Sequence, residues 1–141
     1  MTDITEIFDR FLVKINDYSL SLLEKTENEV TEILTDYYRS AIAHFPQCSK
    51  NLEPIQDTTL LEDNLTPLEK EIVVGLMIIE YLKPIIARDE VLKQVLSDSD
   101  FRVNSQANHM NQLRGLYNTV KQEMSVNKVQ YSYIKGGLYN D

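Results

Sequence analysis

Glu80 lies on the same helical stripe as Val73, Leu76 and Met77, a spacing that carries a carboxylate toward an apolar core. A desolvated carboxylate of this kind works as a general base with a raised pKa when a second group shares its proton. Few residues qualify. His44 and His109 are the only histidines, and no other carboxylate or histidine stands three or four positions from Glu80 to make an acid/base or two-metal pair. A hydrolase-like centre would need Glu80, Asn108 and His109 to converge from separate segments. The commoner arrangement for such a glutamate is an ion pair with an arginine, here Arg102 or Arg114, or a reach to the helix edge.

The remaining chemistry is sparse. Cys48 is the single cysteine, so it forms no disulfide within the chain, and only Lys50 lies near enough in sequence to activate it. It reads as a small loop filler. His44 near a helix C-terminus is accounted for by the helix dipole. The glycines, Gly75, Gly115, Gly136 and Gly137, build neither a phosphate loop nor a nucleophile elbow. No catalytic residue, cofactor or metal is therefore expected. The polar run "DSDFRVNSQANHMNQLRGLYNTV" (98–120) reads as a helix start. Asn104 or Ser105 caps, Asn108 or Gln106 satisfies further amides, and Phe101 and Val103 staple against Met110 or a neighbouring helix.

These residues must be positioned by helices. Ile4, Ile7, Phe8, Phe11, Leu12, Ile15 and Leu22 recur at steps of three and four, predicting a helix over about 3–23. A sharp turn near 24–26 precedes a second, in which Thr26 caps with Glu29 and Val30 to Phe45 keep the period until Pro46. From 46 to 64 no period holds, and a loop this long in a small domain suggests contact with a partner. "LTPLEKE" restarts a helix with Thr66 as cap, Pro67 at the first position and Glu69 closing a capping box. "IVVGLMIIEYL" is apolar all round, so this helix should be central, and Gly75 within it marks a close approach. Pro84 should kink or break it before a short helix from about Asp89. Met110, Leu113, Tyr117, Val120 and Met124 form the seam of a fifth helix ending near 127. Beyond it Val129, Tyr131 and Tyr133 alternate like a strand, pairing either with the patch Thr58–Leu61 or with a neighbouring subunit.

The expected fold is thus a single mainly α domain over 1–141: a compact bundle of about five helices with a long irregular loop (46–64) and a short C-terminal β-strand or extended tail (129–141). A formal charge of −8 repels a phosphate backbone, and no apolar run reaches the roughly 20 residues of a membrane span, so a soluble chain made in the cytoplasm is expected. Tyrosines in the tail suit an interface, because tyrosine buries a large area and keeps a polar tip, or equally a tail folded back onto its own domain. Ile55, Leu60, Leu61, Tyr131, Tyr133, Ile134, Leu138 and Tyr139 are the candidate contact residues.

Three stretches, "TDYYRSAIAHFPQC" (35–48), "LTPLEKEIVVGLMIIEYLKP" (65–84) and "SDFRVNSQANHMNQLRGLYNTVKQEMSVNKVQYSY" (99–133), resemble the small head-tail connector (adaptor, head-completion or neck) proteins of tailed bacteriophages of Gram-positive bacteria. The likeness covers most of the chain except its first twenty residues and 49–64. Where the family pattern has tryptophan before the leucine, this chain has Tyr81. The resemblance implies a structural virion protein of the neck without enzymatic activity. It would form a homo-oligomeric, dodecameric ring that docks on the portal protein and offers a surface to the tail or the next neck protein. An acidic channel would then let DNA pass without binding. The residues alone fit equally a soluble helical binding module, an assembly chaperone or regulator outside the virion.

Overall fold

The structure, a computed structural model, describes residues 1–15, 26–95 and 104–135, with the backbone alone for 27, 89–95, 104–109 and 135. A short strand β1 (Thr2–Asp3) leads directly into α1 (Ile4–Lys14). Asp3 caps that helix, its Oδ1 accepting from the Thr5 amide at 3.0 Å, and hydrogen bonding to the ionised form holds the carboxyl below its usual range. Ile4, Ile7, Phe8 and Phe11 face inward. The expected continuation of this helix to residue 23, and the turn after it, lie outside the described residues.

Helix α2 (Glu27–Ile42) begins as predicted, with Thr26 Oγ1 accepting from the Glu29 amide at 3.3 Å. It buries Leu34, Tyr38 and Ala41, and the chain just beyond it buries Phe45. After the loop and strand β2 (Leu60–Leu61) comes α3 (Pro67–Val95), whose capping box is formed on both sides. The Glu69 amide donates to Thr66 Oγ1 at 3.2 Å and the Thr66 amide to Glu69 Oε1 at 2.7 Å. Ile72 to Ile79 are buried without interruption, so α3 is the central element, as its sequence requires. Against it packs α4 (Asn104–Lys135). A Cβ built on Gly75 would stand 2.2 Å from Met124 Sδ, the close approach for which this position needs glycine.

The protein is mainly helical and compact, with four helices among the described residues. Three expectations are corrected. Of the kink or break expected at Pro84, the break does not occur: α3 continues through it to Val95 and absorbs the separate helix expected from Asp89. Proline removes one amide donor, but Ile85 and Ile86 still pack against the core on the far side, and that burial offsets the loss. The tail to Lys135 is not a strand, because α4 carries its seam of Leu113, Val120 and Met124 on to Tyr131. Residues 131 and 133 are then about 200° apart around a helix rather than on one face. The patch at Leu60–Leu61 pairs instead with the chain's own start, antiparallel, with Thr2 opposite Leu61 and Asp3 opposite Leu60.

That pairing also orders the loop. Asp63 Oδ2 accepts from the Asn51 amide at 3.0 Å, Lys50 Nζ donates to the Asn64 carbonyl at 3.0 Å, and Tyr38 Oη donates to the Leu52 carbonyl at 2.5 Å. Segment 46–64, expected to contact a partner, is thus also fastened to its own domain.

Candidate functional site

The densest polar cluster lies where this loop meets α3 and α4. Glu69 is fully buried, yet both its oxygens are occupied. Oε1 accepts from Lys50 Nζ at 2.8 Å and the Thr66 amide at 2.7 Å; Oε2 accepts from Tyr131 Oη at 2.6 Å. Cys48 Sγ stands 3.8 Å from Glu69 Oε2 and 3.8 Å from Tyr131 Oη. The phenol in turn accepts from the Ser49 amide at 3.0 Å. Phe45 closes the pocket with its ring edge toward Tyr131, centroids 5.1 Å apart.

The electrostatics follow from this geometry. Burial opposes ionisation of Glu69, but Lys50, the Thr66 amide and Tyr131 together outweigh it and hold the carboxyl at about 2. Burial first, and then the bond to Glu69, push the Tyr131 phenol up to about 12. Burial also raises the Cys48 thiol, which disfavours the nucleophilic thiolate. A carboxylate saturated by donors, a phenol committed to it and a protonated thiol make a clamp. They offer a substrate neither a free base nor a nucleophile. What the cluster does is join residues 48–50, 66–69 and 131 at one buried point.

Glu80 reaches the helix edge, one of the two arrangements expected, and there meets His44, Nε2 to Oε1 at 3.0 Å, and Lys83 Nζ at 3.0 Å in place of an arginine. The reason is helical register: Lys83 follows at the third position, and the end of α2 brings His44 over α3. The side chain of Glu80 is 16% exposed and lines a surface cleft of 260 Å³ together with Leu76, Ile79, Tyr117, Lys121 and Lys128. The side chains of Asn108 and His109 lie outside the described residues. Among the described residues no group of three His, Cys, Asp or Glu gathers to hold a metal ion. No described helix is long and apolar enough to cross a membrane.

The candidate contact residues separate. Leu61 and Tyr131, 0% and 2% exposed, are core residues of this chain and present nothing to a partner, which corrects that expectation. Tyr133 is 50% exposed. Ile55, Leu60 and Ile134 are half-buried; Leu138 and Tyr139 lie outside the described residues. In the sequence Glu69 stands out only as a capping residue. Leu65, Glu69, Ile72, Val73 and Leu76 fall at helical spacing, and that stripe was the available signal that its carboxylate faces the core.

No protein-family model matches this chain, no curated protein matches it, and no solved structure matches it.

Proposed function

We propose that this protein is a structural, non-enzymatic component of a bacteriophage neck: a connector subunit that assembles as a ring on the portal and presents a surface to the tail or the next neck protein. One observation carries the reading. The three stretches that resemble connector proteins meet at a single point, with Cys48 closing the first, Glu69 opening the second and Tyr131 near the end of the third. Ser49 and Lys50, which directly follow the first stretch, complete the buried clamp with bonds to Tyr131 and Glu69. The clamp's saturated hydrogen bonding suits a part that must hold its shape rather than turn over a substrate. The net charge of −8 suits a channel that DNA traverses without adhering.

Mixing the purified chain with the portal protein of the same phage, followed by electron microscopy, tests the proposal. A ring capping the portal is expected, and the protein should be found in purified virions. A chain that never associates with that portal and is absent from virions overturns it in favour of a soluble assembly factor.

A further inference from the structure

The cleft beside Glu80 differs in charge from the rest of the molecule. Its floor is apolar, made by Leu76, Ile79 and Tyr117. Its rim carries Lys83, Lys121, Lys128 and His44, with Glu80 the only carboxylate lining it among the described residues. Glu80 is already matched by Lys83 and His44. Lys121 is held over the Tyr117 ring at 5.6 Å, and Lys128 Nζ reaches the His44 carbonyl at 3.4 Å. Lys121 is exposed and Lys128 half-buried. In a chain of formal charge −8, this is a local positive site with an apolar base.

The same chain presents its complement. Glu29, Glu32 and Asp36 recur at steps of three and four along α2, all exposed and none ion-paired among the described residues. Beside them run Val30, Ile33 and Tyr37, half-buried at the same spacing. Glu29 to Asp36 spans seven residues, as does Lys121 to Lys128, so each row of charge is about 10 Å long at 1.5 Å per residue. An acidic row edged with apolar side chains thus matches, in length and in sign, a basic rim around an apolar floor.

We infer that the cleft between α3 and α4 receives the Glu29–Glu32–Asp36 face of α2 from a second copy of this chain. The two patches belong to different parts of one subunit, which permits a head-to-tail contact, the kind that makes rings when the rotation between copies closes. An apolar floor between the lysines favours an amphipathic helix over a bare phosphate as occupant. The inference rests on the connector reading in taking the subunit to meet its own copies.

Sedimentation of the full chain in low and high salt, about 0.05 and 0.5 M, tests it. Wild-type protein should associate beyond the dimer at low salt and weaken at high salt. Lys121→Glu with Lys128→Glu should weaken association by about tenfold or more, as should Glu32→Lys with Asp36→Lys, and mixing the two variants should restore it. Glu32, Asp36 and Lys121 are exposed and Lys128 is half-buried, and circular dichroism of each variant verifies the fold. Wild-type protein that stays monomeric at low salt overturns the inference. So do a limit at dimers, variants that associate like wild type, or mixtures that gain nothing. Short duplex DNA bound by wild type and lost in the lysine variant would assign the cleft to phosphate instead. Portal binding is scored separately: a subunit that caps the portal but ignores these charge reversals leaves the connector reading standing and removes this contact.

Discussion

Tyr131 Oη donates to Glu69 Oε2 across 2.6 Å, joining residues 62 positions apart at a point that neither helix exposes. Neutral donors bound to a buried carboxylate contribute more than ordinary hydrogen bonds. Tyr131→Phe keeps the ring against Phe45 but removes this donor and leaves the Ser49 amide without its acceptor. Its expected cost is about 2 kcal/mol in urea unfolding. Glu69→Ala should cost more, about 3 kcal/mol, because Lys50, Tyr131 and the Thr66 amide all lose their shared acceptor. If both variants unfolded at the wild-type midpoint, the clamp would not be what holds the loop to α3 and α4.

The same carboxylate sets an acid limit. Glu69 titrates at about 2 in the folded chain against an ordinary 4.5, so its folded value is depressed. The stability it contributes is complete above 4.5 and is lost as the pH falls toward 2. Wild-type stability should therefore drop through that window, and Glu69→Gln should be less stable at neutral pH but lose less on acidification. Parallel acid titrations followed by circular dichroism check this. Equal slopes for the two proteins would show that other carboxylates carry the transition.

Much of this architecture is legible in particular residues. Thr26, Thr66, Pro67 and Glu69 announce helix starts because capping is chemistry between near neighbours. The run Ile72–Leu82 announces the central helix because no face of it is polar. The errors lie where a distant contact decides. Val129, Tyr131 and Tyr133 alternate like a strand, but Tyr131 lies on helix α4 and is bound to a buried acceptor on α3 that no local pattern reveals. Leu60 and Leu61 are extended as expected, yet their partner is Thr2–Asp3, which no local pattern indicates. His44 and Glu80 are 36 positions apart, and no spacing rule foretells their pairing.

Gly75 and Met124 make a reciprocal test of the α3–α4 packing. Gly75→Ala improves intrinsic helix propensity by about 1 kcal/mol. In the wild-type background its methyl meets Met124, whose Sδ, Cε and Cγ would all lie within 2.8 Å, and relieving that overlap costs about 1–3 kcal/mol. The single variant should be neutral to destabilised by about 2 kcal/mol. In a Met124→Ala background the same substitution should stabilise by up to about 1 kcal/mol, because the obstruction is gone. A double-mutant cycle from thermal unfolding measures the change. Additive effects would mean that the two helices do not approach as closely as described.

Pro84 interrupts hydrogen bonding inside α3 without ending the helix. It offers no amide to the carbonyl four residues earlier, that of Glu80, and its ring crowds the same carbonyl, a combination worth about 3 kcal/mol in a helix interior. Pro84 is exposed, and the neighbouring Ile85 and Ile86 are half-buried against the core. Pro84→Ala should therefore restore one backbone hydrogen bond and stabilise the protein by about 1–3 kcal/mol, raising Tm by several degrees. Pro84→Gly should recover less, since glycine gives back about 1 kcal/mol through the freedom of the unfolded chain. Destabilisation by Pro84→Ala would mean that the proline bends α3 to seat Ile85 and Ile86, and that their burial outweighs the missing bond.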